Sequence, residues 1–294
     1  MRKFFRGLWR VVTAPFRGLW WLIMLPVRGI RRFNHFLNAE PEDRPLTEVL
    51  AETVKQPSGL LEHLEALRSH LTRMLIGLLV CVGAAFFFTP QMDNFLAGPI
   101  GGLSALKAID VTESIGVFMK VALLSGVALA SPYLAFELWL FAAPGLRPAA
   151  RKSGLVSIPL VLVFFVGGMV FAYLILLPPA LKFLLHFMGI TVIPRPSSYI
   201  GFVTTILFWI GVTFEFPLVI YVLTLMGLIQ PKVLLKQWRI AVVVIAVLAA
   251  AITPTTDPVN MSLVMGPMIV LYFISIGLGY LALGNRRQRL RAVG

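Results

Sequence analysis

The chain has 294 residues, of which 58% are hydrophobic and only 13% are charged, and its formal net charge is +13. A soluble domain of this size could not cover its surface with so few polar groups, so the composition excludes a soluble globular protein and indicates one embedded in a bilayer. The single cysteine excludes an intrachain disulfide, and no spacing of ligating residues points to a metal or another cofactor.

Residues 1–37 form a basic segment with an 11-residue repeat, in which FRGLWRVVTAP, FRGLWWLIMLP and VRGIRRFNHFL follow one another. Because 11 residues make close to three helical turns, Arg6, Arg17 and Arg28 return to one helix face. This pattern predicts an amphipathic interfacial helix, kinked at its two prolines, that binds anionic lipids. A seventh span and a cleaved signal peptide are the alternatives. The longest uncharged run has only ten residues, and no small-residue cleavage site follows it.

A polar, acidic linker is predicted over 38–58, a transmembrane domain over 59–284 and a basic tail over 285–294. Six apolar segments lie within the transmembrane domain, at about 71–89, 115–142, 154–178, 199–226, 238–252 and 262–283. A helix needs about 20 residues to cross the hydrocarbon, so the shorter fifth segment is expected to cross a thinned bilayer or to stop short of the far face. The sequence therefore predicts an all-α integral membrane protein with six transmembrane helices.

The basic residues fall mainly on one side of these spans. Of the 26 lysines and arginines, 22 lie before the first span or in its first turn, in the second and fourth connections or the first turn after the fourth, or in the C-terminal tail. Only Lys107, Lys182 and Arg195 lie in the opposite connections, and Lys120 lies within a span. The positive-inside rule then predicts that both termini are cytoplasmic, and the flanking positions of the basic residues argue against nucleic acid as a partner.

Apart from Arg73 and Arg239 in the first turns of their spans, three charged residues fall within the predicted spans. A charge at the centre of a transmembrane helix costs at least about 2.5 kcal/mol, so we expect Glu215 to face a polar cavity or a partner and Glu137 to lie near the cytoplasmic end of its helix. Lys120 can extend from its helix towards the external interface. His63 and His70 share a helix face, but no HExxH pattern or second cluster supports a metal site. No catalytic motif is present, so we do not expect an enzyme.

Motifs spread over about 60–283 resemble, in order, those of the TatC family, the multispanning subunit of twin-arginine protein translocases. HLEALRSHL is similar to the family's HLEELRxRL, and it is followed by VTESIGVFMKVAL, SPYLAFELWLFAAPGL, FVGGMVFAYLILLP, FEFP and AITPTTDPVNM. The resemblance implies a cupped six-helix scaffold in the cytoplasmic (inner) membrane of a prokaryote. It also implies binding of signal peptides of folded cargo and recruitment of TatA- and TatB-like single-span subunits into an oligomeric complex.

The resemblance also implies site residues. It places signal-peptide binding at Glu65, Arg68 and Phe141, the polar concave face at Glu215, and contact with a partner helix at Thr253 and Asn260. The nearby carboxylates Glu62 and Glu137 are further candidates for signal-peptide binding, and Lys120 is a further intramembrane polar candidate.

The chain departs from the family at the two carboxylates that hold the arginine pair, because these positions are Ala66 and Ala150 here. Three interpretations are open. Glu62, Glu65 and Glu137 take over recognition, or the chain binds signals with a different basic or apolar motif, or it is a divergent paralogue with a structural role.

Two further functions fit parts of the sequence. A small proton- or ion-coupled secondary transporter would use Glu137 and Glu215 as a relay, although no repeat relates 60–180 to 181–283. A membrane anchor that organises anionic lipid through the N-terminal arginines is compatible with the export function.

Overall fold

The computed structural model describes residues 37–38, 58–146, 148–189, 192–253 and 257–291, with side chains except at 58–62, 149, 188 and 285–291. Every regular element in these ranges is helical. Five helices are long and apolar enough to cross a membrane, so the chain is an all-α, multi-pass membrane protein, as predicted. The predicted N-terminal interfacial helix and the linker lie outside the described residues, apart from 37–38 and Ser58.

Nine helices are described, with short connections between most of them. They are α1 Ser58–Ala85, α2 Thr89–Leu96, α3 Glu113–Ala142, α4 Pro148–Phe171, α5 Leu177–Leu185, α6 Pro196–Met226, α7 Pro231–Lys236, α8 Trp238–Ile252 and α9 Pro258–Arg291. A π turn over Ala172–Leu176 joins α4 to α5, so that these two helices form one continuous rod.

The connections gather at two ends of the helix bundle. The start of α1, the α3–α4 turn and α7 lie at one end, called the proximal end, which is the end predicted to be cytoplasmic. The α2–α3 and α5–α6 connections lie at the other, distal end, where the Lys107 N–H donates to the Pro194 carbonyl at 3.3 Å. The Tyr199 hydroxyl also donates to the Leu96 carbonyl there, at 2.9 Å.

The buried core lies where α3, the α4–α5 rod, α6 and α9 meet, and it includes Val121, Leu177, Ile206 and Val264. Lipid tails are as apolar as these side chains, so close packing rather than exclusion of water holds transmembrane helices together. Small residues permit that packing. A Cβ on Gly168 of α4 would lie 2.9 Å from the Cα of a glycine in α6, which shows how closely these two helices approach.

Two predicted span boundaries were wrong. The first span was predicted to reach residue 89, but α1 ends at Ala85 and α2 begins at Thr89. Pro90 lies in the first turn of α2, where its missing N–H is tolerated, and this residue could not continue α1. The third span was predicted to end at 178, but the rod continues to Leu185. Pro178 and Pro179 lie in the first turn of α5, where their missing N–H groups do not interrupt the helix.

Two helices differ from the others in their setting. Helix α8 has the predicted bounds, and its 15 residues span about 22 Å, less than the ~30 Å of hydrocarbon. Helix α1 packs mainly against α3, and no residue in its most apolar window is buried within the chain. Most of α1 is therefore available to lipid or to another transmembrane helix.

Candidate functional site

A buried carboxylate lies between α1 and α3 near the proximal end. Glu137 is only 4% exposed, and its Oε2 accepts a hydrogen bond from His70 Nδ1 at 2.6 Å. Its Oε1 accepts one from the Tyr133 hydroxyl at 3.0 Å, and Arg73 Nη1 lies 3.7 Å from Oε2. These four residues are called the Glu137 cluster, and they join two helices through a carboxylate whose two oxygens are both engaged.

Aromatic rings flank the cluster on the side of α1. The His63 ring lies 4.8 Å from the Phe141 ring between centroids, and the His70 ring meets the same phenyl edge-on at 5.9 Å. Phe141 follows Glu137 by one helical turn, so both side chains point from α3 towards α1. The arrangement offers an anionic group beside an apolar, aromatic surface, which suits a ligand with a cationic group next to apolar ones.

The structure brings together two of the five predicted signal-peptide residues. Glu137 and Phe141 are adjacent, whereas Glu65 and Arg68 are exposed on α1 and are not among the groups that contact Glu137. The side chain of Glu62 lies outside the described residues.

Sequence reasoning missed three members of the Glu137 cluster: His70, Arg73 and Tyr133. The spacing of His63 and His70 showed a shared helix face, but no sequence signal indicated which residue that face meets.

A rigid turn connects α3 to α4 beside the cluster. Arg151 is 2% exposed, and its Nε donates to the Ala143 carbonyl at 2.7 Å while its Nη2 donates to the Pro144 carbonyl at 3.2 Å. In return, Trp139 Nε1 donates to the Arg151 carbonyl at 3.0 Å. Ala150, where the resemblance predicts a glutamate, is buried in the first turn of α4, whereas Ala66 on α1 is exposed.

Glu215 lies in the middle of α6, partly buried, and its Oε1 accepts no hydrogen bond within the described part of the chain. One oxygen of a carboxyl at membrane depth is therefore left without a partner among the described residues, and that arrangement is costly in the absence of a further polar group. Lys120 lies on a different helix, nearer the distal end, where its Nζ donates to the Ser197 carbonyl at 3.5 Å. The two predicted concave-face residues are therefore not in one cluster.

An apolar cavity of about 500 Å³ opens between α3 and the α4–α5 rod towards the distal end. Its walls include Phe88, Leu124, Val166 and Tyr173. A cavity of this size and lining can take an apolar side-chain cluster or part of an acyl chain.

An ion pair closes the distal end. The Arg195 guanidinium donates twice to a buried carboxylate oxygen of Glu113, with Nε at 2.9 Å, and so ties the α5–α6 connection to α3.

Two carboxyl groups outside the spans, those of Asp93 and Asp110, have different surroundings and different pKa shifts. Burial raises the pKa of Asp93 above its ordinary value of 3.8, whereas hydrogen bonds from Thr112 lower the pKa of exposed Asp110.

Thr253 and Asn260 flank the turn between α8 and α9 and are both buried. The Thr253 hydroxyl donates to the Ala249 carbonyl at 2.8 Å, and Asn260 Nδ2 donates to Asp257 at 2.9 Å. Asn260 Oδ1 accepts no hydrogen bond from the described residues. No group of three or more potential metal ligands occurs in the described ranges.

Comparison with known proteins decides the family. Residues 62–267 match the family model described as Sec-independent protein translocase protein (TatC). The chain belongs to the TatC family. It is 37% identical over 224 residues to the Sec-independent protein translocase protein TatC of Carboxydothermus hydrogenoformans, covering 75% of this chain and 92% of that protein. It is 33% identical over 256 residues to the TatC of Koribacter versatilis, covering 83% and 93%.

Solved structures agree with this assignment. A crystal structure described as the twin arginine translocase receptor TatC matches with a TM-score of 0.66 at 33% identity, covering 75% of this chain and 99% of that one. A second crystal structure of that receptor, in DDM, gives a TM-score of 0.67 at 32% identity. The relatives are named as translocase proteins and not as enzymes, so this TatC-family chain is a component of protein transport.

Proposed function

We propose that this chain is the receptor and scaffold subunit of a twin-arginine protein export system. It would lie in the cytoplasmic (inner) membrane of a prokaryote with both termini in the cytoplasm, consistent with the one-sided distribution of its basic residues. It would bind signal peptides of folded cargo at the proximal end and recruit TatA- and TatB-like single-span subunits. The observation that carries the proposal is the Glu137 cluster, a buried carboxylate beside Phe141 at the end predicted to be cytoplasmic.

Glu137 supplies what the family positions Ala66 and Ala150 lack. Its carboxylate already has a histidine nitrogen at 2.6 Å and a guanidinium nitrogen at 3.7 Å, so the site accommodates cationic donors. An incoming arginine would replace these donors with a paired, two-point contact, which a lysine cannot form. Phe141 would contact the residues that follow the arginine pair, and Glu62, Glu65 and Arg68 at the start of α1 would hold the flanking polar part.

The concave face and the distal region would serve the rest of the complex. The apolar part of the signal peptide would lie along the path from Phe141 towards Glu215. Asn260, whose buried Oδ1 accepts no hydrogen bond from the described residues, would accept one from a polar residue of a partner helix near Thr253. The short α8 would thin the bilayer locally, which favours passage of folded cargo. Anionic lipids would bind the N-terminal arginines.

The test is binding of a twin-arginine signal peptide to the purified, detergent-solubilised protein, compared with the same peptide carrying two lysines. We expect the arginine form to bind at least about tenfold more tightly, which corresponds to ~1.4 kcal/mol. Equal binding of the two peptides by folded protein would remove the receptor proposal.

Matched variants locate the site. Glu137→Gln keeps the side-chain volume and removes the charge, so we expect the preference for arginine to fall, whereas Glu113→Gln at the distal end should leave it unchanged. Ala66→Glu restores the family carboxylate at an exposed position and should raise affinity for the arginine peptide. If Glu65→Gln abolishes the preference and Glu137→Gln does not, recognition belongs to the start of α1 alone.

A further inference from the structure

The distal end contains a lysine whose charge is not balanced within the described part of the chain. Lys120 is exposed on α3, seven residues after the helix begins, and it forms no ion pair with a described residue. Its Nζ donates to the Ser197 carbonyl at 3.5 Å, which is long for a hydrogen bond. An ammonium group has three donors, so this contact leaves most of its hydrogen-bonding capacity unused. A cation at the edge of the hydrocarbon is costly without a partner, so an anion bound here would be stabilised.

The carboxylates at this end of the bundle are engaged elsewhere. Glu113 is buried and accepts two hydrogen bonds from Arg195. Asp110 is exposed and accepts hydrogen bonds from within its own turn. Glu215 lies 18 residues further along α6 than the carbonyl that the ammonium group contacts, a rise of about 27 Å. None of these three carboxylates neutralises Lys120.

A pocket of about 740 Å³ surrounds the ammonium group at the distal end of the bundle. Its walls come from the end of α5, the connection that follows and the start of α6, and they include Arg195, Ser197 and Ser198. Gly201 leaves the space that the ammonium group occupies, because a Cβ there would lie 3.0 Å from Lys120 Nζ. The pocket therefore combines an ammonium group, a guanidinium group and hydroxyls, which are the donors that bind phosphate in proteins.

An apolar cleft of about 330 Å³ continues from this pocket between α3 and α6. The pocket and the cleft share Lys120, Gly201 and Thr205. Both helices begin at the distal end, so the residues with higher numbers lie deeper in the membrane. The deeper walls of the cleft are formed by Leu123, Leu124, Val127, Phe208 and Trp209. A cationic pocket at the membrane boundary is thus joined to an apolar cleft that extends into the hydrocarbon.

We propose that the pocket and the cleft bind one anionic phospholipid of the leaflet at the distal end. Its phosphate binds Lys120, and one of its acyl chains lies in the cleft between α3 and α6. An anionic headgroup is favoured over a zwitterionic one, because a choline group would meet the like charges of Lys120 and Arg195. A lipid is favoured over a free phosphate ion, because only the lipid fills the apolar cleft.

This lipid site is separate from the other sites described above. The N-terminal arginines are predicted to meet lipid at the cytoplasmic face, whereas Lys120 lies towards the opposite end of the bundle. The lipid site also does not depend on recognition of a signal peptide, so it stands or fails independently of the receptor function.

Native mass spectrometry of the full chain in detergent, titrated with phosphatidylglycerol, tests the charge. One lysine at a membrane surface contributes about fivefold to the binding of anionic lipid, so Lys120→Gln should weaken phosphatidylglycerol binding by at least that factor. Phosphatidylcholine with the same acyl chains should bind more weakly to wild type and should be little affected by the substitution. Lys182→Gln is the control, because this exposed lysine is also at the distal end but does not line the pocket or the cleft.

The same titration tests the cleft. Leu123→Trp places a larger side chain in the cleft without changing any charge, so it should also weaken phosphatidylglycerol binding. Met119→Trp should bind as wild type does, because Met119 is exposed on α3 but lines neither the pocket nor the cleft. Lipid held by the N-terminal arginines is common to all the variants, so only the differences between variants report on this site.

Three outcomes overturn the proposal. Equal weakening by Lys120→Gln and Lys182→Gln would mean that the lipid responds to overall charge and not to this site. Displacement of phosphatidylglycerol by millimolar inorganic phosphate, with Leu123→Trp binding as wild type does, would make the occupant a free anion. Lys120→Arg keeps the charge and should retain binding, so an equal loss in the arginine and glutamine variants, both with wild-type helix content, would exclude the phosphate contact.

Discussion

Replacing Glu137 by alanine tests whether the Glu137 cluster holds α1 against α3. The carboxylate is 4% exposed and accepts hydrogen bonds from His70 and Tyr133 at 2.6 and 3.0 Å. Removing the acceptor of a buried hydrogen bond costs about 1–3 kcal/mol for each donor left unpaired, and more where a charged group is involved. Arg73 is half exposed at 3.7 Å and adds little. We therefore expect Glu137→Ala to lower the free energy of unfolding by about 3 kcal/mol.

The assay is denaturant unfolding of the purified protein in detergent, followed by tryptophan fluorescence. Glu137→Gln retains an acceptor for the Tyr133 hydroxyl and should cost only about 1–2 kcal/mol. Glu65→Ala is the control, because this glutamate is exposed on the proximal part of α1. It should change the free energy of unfolding by no more than about 0.5 kcal/mol.

A double-mutant cycle isolates the pair itself. Combining Glu137→Ala with His70→Ala should give a coupling energy of about 1–3 kcal/mol, because the two side chains are in direct contact. A loss below about 1 kcal/mol for Glu137→Ala, or additive effects in the cycle, would refute the reasoning that this carboxylate fastens α1.

Two further predictions concern packing and pH. Gly77→Ala places a Cβ 2.2 Å from the Tyr133 ring and should lower the free energy of unfolding by about 1–3 kcal/mol. Gly83→Ala is the control, because a Cβ at this position of the same helix meets nothing within 4 Å and should not lower the stability. Equal unfolding curves for the two variants would contradict the close approach of Gly77 to Tyr133. Burial raises the pKa of Asp93, so the wild type loses stability as the pH rises from about 3.8 through the pKa of the folded state. We therefore expect Asp93→Asn to be more stable than wild type at pH 7 but not below pH ~3.8. Asp110 affects stability in the opposite direction. Its lowered pKa stabilises the fold above pH ~3.8, and this stabilisation is lost as the pH falls through the folded pKa, so Asp110→Asn should be less stable than wild type at pH 7. Thermal melting of both variants at pH 7 and below pH ~3.8 tests the two predictions.

The spans could be predicted from the sequence because a bilayer imposes one strong rule. Every backbone group must be hydrogen-bonded within the lipid, so long apolar stretches become helices whatever surrounds them. The bounds of α8 were predicted correctly for this reason. The end of α1 was not, since the three phenylalanines at 86–88 are apolar but form a turn. Hydropathy measures the cost of burial in lipid and does not report where a helix stops.

Some residues of the candidate site could be predicted from the sequence and others could not. Glu137 and Phe141 could be found from their place in a motif and from the rarity of carboxylates within spans. Their neighbours could not, because His70 is 67 residues away from Glu137 along the chain and meets it only through the packing of α1 on α3. The sequence shows an alanine at position 150, where the resemblance predicts a glutamate, but it does not show that this position is buried.

The sequence by itself determined that this chain is a helical membrane protein with most of its basic residues on one side of its predicted spans, since these properties depend on composition and order alone. The tertiary structure decided which polar groups meet. It engaged both oxygens of Glu137, left an oxygen of Glu215 without a partner among the described residues, and packed Leu37 of the N-terminal segment against the α3–α4 turn. Such pairings depend on the relative rotation and closeness of helices, which small residues such as Gly77 and Gly126 permit and which no local pattern specifies.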